Sequence, residues 1–207
     1  APQFAYGYGL TYARNARVGL LSEDSGVANV GGSLDRYFVD GRFVAPWSLM
    51  LRDAGGEFRL GSEKSGASPR GGVSARATDG AGQESARALI FSQGGGQAMI
   101  VAQPVDLTRQ SNGEMAIAFR YRVDARAKGP VFLTLGAGSV DISSLIATAP
   151  VGEWRTLKVR LSCLRDRGAD IAAVDQPWGL RTNADFAVTV EDIRLASNEG
   201  DAVCPTQ

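Results

Sequence analysis

Apolar and polar side chains alternate along many short stretches of this chain. Met115, Ile117, Phe119, Tyr121 and Val123 stand against Ala116, Ala118, Arg120 and Arg122, and Leu157, Val159 and Leu161 stand against Lys158 and Arg160. A period of two is that of a strand with one buried and one wet face. Runs of the same texture span 37–39, 42–44, 47–51, 57–60, 73–78, 86–91, 97–102, 114–123, 130–135, 154–161 and 186–195. Asp40-Gly41, between the first two, suits the positive φ of a type I′ hairpin turn. In the last run Val188, Val190 and Ile193 keep one face only if Glu191-Asp192 forms a bulge. Trp154 reads as an inward member of its strand beside Leu157, and Trp178 as a packing residue. Gly94-Gly95-Gly96 has no following helix and no Lys-Ser/Thr, so it reads as a hairpin turn and not a phosphate loop. The stretch 66–72 reads as a flexible surface loop. Helix is confined to a turn or two within 164–174. About ten short strands with so little helix predict an all-β protein, an antiparallel β-sandwich of the jelly-roll kind.

Before residue 35 the texture differs. Gly19, Gly26, Gly31 and Gly32 break any period, which is linker chemistry. The expected organisation is a leading segment over 1–34, the sandwich over 35–199 and a C-terminal tail over 200–207.

Composition acts mainly by exclusion. The 207 residues are 44% hydrophobic and 21% charged, neither a disordered nor a membrane composition, and suffice for a self-sufficient core. Lys and Arg number 22 and Asp and Glu 22, so no net field gathers nucleic acid or an anionic membrane, and neither is an expected partner. No apolar run approaches the roughly 18 residues that span a bilayer, and no signal peptide is recognisable. There is no histidine. That removes the Ser-His-Asp triad, the Cys-His pair and His-ligated zinc. Cys163 and Cys204 lie 41 positions apart. A bridge between them would staple the tail to the sandwich and contribute about 4 kcal/mol in the chain-entropy model. The alternative is a buried free Cys163 with an exposed Cys204.

Two sets of residues carry a family resemblance. Phe4-Ala5-Tyr6-Gly7-Tyr8-Gly9-Leu10-Thr11-Tyr12 resembles the Phe-Gly-Tyr-Gly-Leu-Ser-Tyr run near the end of the α/β domain of family 3 glycoside hydrolases. In order after it come Ala45-Pro46-Trp47-Ser48-Leu49, Ser85-Ala86-Arg87-Ala88-Leu89, the strand from Ser111 to Asp124, Trp154-Arg155-Thr156-Leu157 running into Leu161-Ser162-Cys163-Leu164, Gly168-Ala169-Asp170-Ile171, Pro177-Trp178-Gly179-Leu180 and Val190-Glu191-Asp192-Ile193-Arg194-Leu195. This series resembles the galactose-binding-like β-sandwich at the C-terminal end of bacterial family 3 exo-1,3/1,4-β-glucanases. The resemblance implies a piece from the C-terminal side of a larger β-glucosidase or exo-β-glucanase. Residues 1–34 would then be the remnant of the preceding domain plus a linker, and any export signal would lie upstream. It also implies that the catalytic nucleophile and acid lie in domains this chain lacks, and that the chain's partners are those catalytic domains and a β-glucan oligosaccharide. Since polymeric glucan is met outside the cytoplasm, the expected location is periplasmic or secreted.

The residues offer candidate chemistry of their own. A glycosidase needs two carboxyl groups flanking the scissile bond, one of them kept protonated by its surroundings. No Asp or Glu here stands in a motif that fixes such a pair, so the chain is expected to be a non-catalytic accessory domain. The competing expectations are an autonomous carbohydrate-binding module and a purely structural or oligomerisation domain. Aromatic rings serve as platforms for pyranose faces. Trp47 and Tyr37 are the candidates for that role. No cofactor is required on this reading, but a structural calcium is a candidate, with Asp192 as one carboxylate ligand and Asp40 or Asp35 approaching it if the terminal strands pair. The alternative for Asp192 is a solvated bulge carboxylate paired with an Arg.

Overall fold

The first turn follows directly from its dipeptide. In the computed structural model, which describes residues 34–206, Asp40 and Gly41 adopt φ of 53° and 79°, the left-handed pair of a type I′ turn. They join β1 (Arg36–Val39) to β2 (Arg42–Phe43), with Phe38 opposite Phe43 and Val39 opposite Arg42. The segment Phe4 to Tyr12 and the leading stretch up to residue 33 lie outside the described residues. The chain continues through β3 (Ser48–Asp53), β4 (Gly56–Leu60), β5 (Ser65–Ala67), β6 (Val73–Thr78), β7 (Ala86–Phe91) and β8 (Gly96–Val101). After the short helix α1 (Thr108–Asn112) come β9 (Ala116–Ala125), β10 (Val131–Leu135), β11 (Gly138–Asp141) and α2 (Ser143–Thr148). β12 (Trp154–Arg160), α3 (Leu161–Asp166), β13 (Trp178–Thr182) and β14 (Phe186–Ala196) complete it.

The strands pair antiparallel throughout, in two sheets. The 8-stranded sheet has the order β12-β9-β14-β7-β6-β5, with β1 paired to β14 and β2 to β1, and the 6-stranded sheet the order β11-β10-β13-β8-β3-β4. Consecutive strands repeatedly change sheet, as at β2 to β3, β7 to β8 and β9 to β10, which is the antiparallel sandwich that the alternation predicts. The turn Gly94 to Gly96 is one of these crossings and not a hairpin, because β7 and β8 belong to different sheets. A Cβ on Gly95 would stand 2.1 Å from the Thr182 carbonyl oxygen, so the chain can pass there only as glycine.

Between the sheets the inward members of each strand meet. Leu89, Phe91, Ile117, Phe119, Val123, Val188 and Val190 of one sheet face Leu49, Leu51, Ala98, Ile100, Leu133, Trp178 and Leu180 of the other, all at most 2% exposed. Trp178 meets Phe119 across the layers, edge to face at 5.5 Å. It is a core residue, as expected, 1% exposed. Trp154 is not. It pairs with Arg122, and Leu157 pairs with Phe119. Residues three apart on a strand point to opposite faces, so Trp154 shares the outer face with Thr156 and Lys158. There the guanidinium groups of Arg120 and Arg122 lie 4.8 and 5.3 Å from its ring. The expected bulge is present: register shifts between the Ala118 and Arg120 pairings, and Asp192 takes φ 53°.

The C-terminal tail is tied down. Cys163 on α3 and Cys204 are joined by a disulfide, Cα atoms 5.7 Å apart. Val203 forms a parallel bridge with Val159 of the edge strand β12, its N–H donating to the Lys158 carbonyl at 2.9 Å and its own carbonyl accepting from Arg160 N–H at 3.2 Å. Lys158 and Asp201 form an ion pair at 2.8 Å. An edge strand otherwise offers open N–H and C=O groups to another chain. Here the tail covers its second half.

Candidate functional site

The two aromatic platforms expected from the sequence are interior. Tyr37 and Trp47 meet edge to face with centroids 5.1 Å apart and are 0% and 3% exposed. Tyr37 is an inward member of β1, and Trp47 follows the chain as it crosses from β2 to β3. Neither ring presents a face on which a sugar could lie.

Asp40 and Asp192 do come together, lining one cleft with Glu191, Ser85 and Arg120. The carboxylate at the centre is nevertheless Glu191, whose side chain is 5% exposed. It accepts from the Ala81 N–H at 3.0 Å and the Ser85 hydroxyl at 3.1 Å, and it pairs with Arg120. Gly80 makes room for it, since a Cβ there would stand 2.1 Å from the Glu191 Oε1. Asp192 accepts from Arg194 Nε at 3.2 Å. Among the described residues no three Asp, Glu, Cys or His side chains converge as a metal would need. Calcium asks for six to eight oxygens, and here a guanidinium already serves the one buried carboxylate, so this donor set does not fit it.

A different face gathers polar and aromatic groups. On the six-stranded sheet the positions alternating with the core face outward, and register aligns them. Asp141 pairs with Phe132, Phe132 with Arg181, Arg181 with Gln97, Gln97 with Arg52 and Arg52 with Glu57. One row of side chains thus crosses six strands at right angles to them. Within it the Arg181 guanidinium lies 4.8 Å from the Phe132 ring centroid. Gln97 Nε2 donates to Thr134 Oγ1 at 2.9 Å, and Arg52 pairs with Glu57 at 2.5 Å. Behind the row Met50, Met99 and Val101 form a small apolar cluster of their own. Gly179 keeps the surface low in the middle, where a Cβ would stand 2.4 Å from Thr134 Oγ1.

An open cleft of about 370 Å³ lies over this row, bounded at one end by the turns carrying Asp53, Gly94 to Gly96, Pro130 and Asn183. Asp53 fixes that rim. Its Oδ2 accepts from the Ser68 hydroxyl at 2.7 Å, Arg70 N–H at 2.7 Å and Gly72 N–H at 3.1 Å, and its Oδ1 from Gly55 N–H at 2.7 Å. The stretch 66–72 is therefore not a loose loop: it begins in β5 and is then held by one carboxylate. Desolvation works to raise the Asp53 pKa, but the Ser68 hydroxyl and the N–H groups of Gly72, Gly55 and Arg70 outweigh it and bring it from 3.8 to about 2. A depressed carboxylate contributes stability that is complete above its unfolded pKa and is lost as pH falls through its folded one. Thermal melts between about pH 4 and pH 2 should show a falling Tm whose slope is smaller in Asp53→Asn. Equal slopes would show that Asp53 does not carry this linkage.

Sequence reasoning passed over Phe132 and Arg181. The signal for Phe132 was available: Val131, Leu133 and Leu135 make the inward set, which leaves an aromatic ring facing out. Arg181 was hidden because β13 lies outside every run that reads as a strand.

A galactose-binding domain-like family model, Exop_C, matches residues 45–195. Among solved structures, the extra C-terminal domain (X) of the exo-1,3/1,4-β-glucanase ExoP from a Pseudoalteromonas species superposes with a TM-score of 0.62 at 15% identity, covering 82% of this chain and 96% of that domain. The ExoP enzyme gives 0.65 at 15% identity over 81% of this chain, and the chain spans 21% of that enzyme's length. An exo-β-agarase gives 0.51 at 13% identity, over 80% of this chain and 25% of that one. No curated protein sequence matches the chain.

Proposed function

The chain belongs to the galactose-binding domain-like Exop_C family, and from that premise we propose that it is a non-catalytic accessory domain of a multidomain enzyme acting on β-glucans, in contact with the glucan through the cleft on the six-stranded sheet. The observation that carries this reading is the in-register row from Phe132 through Arg181 and Gln97 to Arg52. An aromatic ring can take the apolar face of a pyranose, while guanidinium and amide groups meet its hydroxyls in planar, oriented hydrogen bonds. A row perpendicular to the strands, lying in an open cleft, suits an extended chain better than a single sugar. The likeness to domain X supports attachment to catalytic domains within one polypeptide; a periplasmic or secreted location goes with a polymeric glucan met outside the cytoplasm.

The carboxylates at this cleft argue against hydrolysis by the domain itself. A glycosidase acid must hold its proton at working pH. Asp53 is pushed the other way, to about 2, with both oxygens engaged, and Glu57 is paired with Arg52.

Calorimetry of the isolated domain with mixed-linkage β-glucan oligosaccharides should show binding that Phe132→Ala weakens roughly tenfold, the equivalent of losing about 1.4 kcal/mol of ring contact. An unaltered affinity would move the contact elsewhere, and no binding across β-1,3, β-1,4 and mixed-linkage series would leave only docking to the catalytic domains. Release of glucose by the pure domain would refute the non-catalytic assignment.

A further inference from the structure

The cleft on the six-stranded sheet has a definite length. Its lining comes from β10 at Phe132, β13 at Arg181, β8 at Gln97 and β3 at Arg52, together with the turns at the ends of these strands. Neither edge strand of that sheet, β11 or β4, contributes to it. Hydrogen-bonded strands stand about 4.8 Å apart, so the row from Phe132 to Arg52 measures about 14 Å between its outer members.

The polar groups along this row are open to a ligand. Arg181 is exposed and lines the cleft. Its guanidinium stacks on Phe132, and among the described residues it has no hydrogen-bond or ion-pair partner. The ring steadies the cation and leaves its N–H donors unspent. Asn183, two residues on, is likewise exposed at the rim with its side-chain amide unpaired among the described residues. Gln97 gives one amide hydrogen to Thr134. Its carbonyl oxygen has no partner and is not among the enclosed unpaired atoms, so it reaches solvent. Arg52 gives Nε and Nη2 to Glu57 and keeps Nη1.

We propose that the cleft takes four consecutive β-1,4-linked glucosyl units, one over each of these strands. The first lies on Phe132, and the next three are hydrogen-bonded in turn by Arg181, Gln97 and Arg52. A β-1,4 chain leaves each ring through equatorial bonds and runs straight, and each unit advances it by nearly one strand spacing. Unit and strand therefore stay in phase across the whole row. A β-1,3 chain winds, and leaves a straight row within a few units. The inference rests on the glucan reading of this cleft and adds to it a length and a linkage.

Amide-shift NMR titrations of the isotopically labelled 207-residue chain test it, with cello-oligosaccharides of two to six units and laminari-oligosaccharides of the same lengths. Each added β-1,4 unit up to the fourth should raise affinity roughly three- to tenfold, and further units by about twofold or less. The tetrasaccharide should perturb amides on β10, β13, β8 and β3, and its β-1,3 counterpart should bind roughly tenfold more weakly. Arg181→Ala, at an exposed position, should weaken the tetrasaccharide by roughly tenfold. Arg52→Ala should bring it down to the affinity of the trisaccharide. A plateau already at two units, a steady rise through six, or equal affinity for the β-1,3 series overturns the inference and leaves glucan binding standing. Absence of a saturable shift with every member of both series refutes the glucan reading itself, and this inference with it.

Discussion

Removing the Cys163–Cys204 bridge, as Cys163→Ala with Cys204→Ala, should lower the free energy of unfolding by about 4 kcal/mol in urea titrations. The bridge closes a loop of 41 residues, and opening it returns conformational freedom to the unfolded chain. The folded state loses too. Val203 and Asp201 lie against β12 beside this anchor, so reduction should also raise hydrogen exchange at the Arg160 and Val203 N–H groups that join tail and strand. The uncovered edge could then pair with a second copy, detectable as concentration-dependent sedimentation. A double variant within about 1 kcal/mol of wild type, with unchanged exchange on β12, would show that the tail is held by its other contacts alone.

Glu191→Ala is expected to cost about 3 kcal/mol, the lower end for breaking a buried ion pair, because Arg120 retains a 32% exposed side chain. The loss reaches beyond Arg120. The Ala81 N–H and the Ser85 hydroxyl lose the acceptor that ties the segment between β6 and β7 to the last strand. Ser85→Ala removes the hydroxyl's bond to the Glu191 carboxylate and its bonds with Gly82, and should cost about 2 kcal/mol. In the same melts, added calcium or a chelator should leave Tm unchanged. A calcium-dependent rise would mean that Asp40 and Asp192 turn toward a cation after all.

Strands with clean alternation were legible from sequence, and β6 and β7 match their expected limits residue for residue. Strands with mixed signals were not. β5 is Ser-Gly-Ala, without the branched or aromatic residues that mark a strand; it is held by pairing with β6 and by Phe58, which packs where a Cβ on Gly66 would be. The candidate site was less legible than the fold. A row such as Phe132, Arg181, Gln97 and Arg52 is assembled from four strands distant in sequence, and only register aligns it. The aromatic residues that sequence does single out are those most apt to be buried, as Tyr37 and Trp47 are. The bulge dipeptide was visible, but not that Glu191, rather than Asp192, carries the buried charge: the extra residue at the bulge decides which carboxylate faces Arg120.

Arg36 of β1 pairs with Arg194 of β14, so the chain comes into the sandwich and departs from it on neighbouring antiparallel strands. A pull between the chain before Arg36 and Cys204, which the disulfide ties to α3 at the same end of this sheet, therefore loads that ladder in an unzipping geometry, hydrogen bonds opening singly and in order, and not in shear. The β1–β2 hairpin would peel first while the two-sheet core stays closed. Such a fold gives way in small steps under tension.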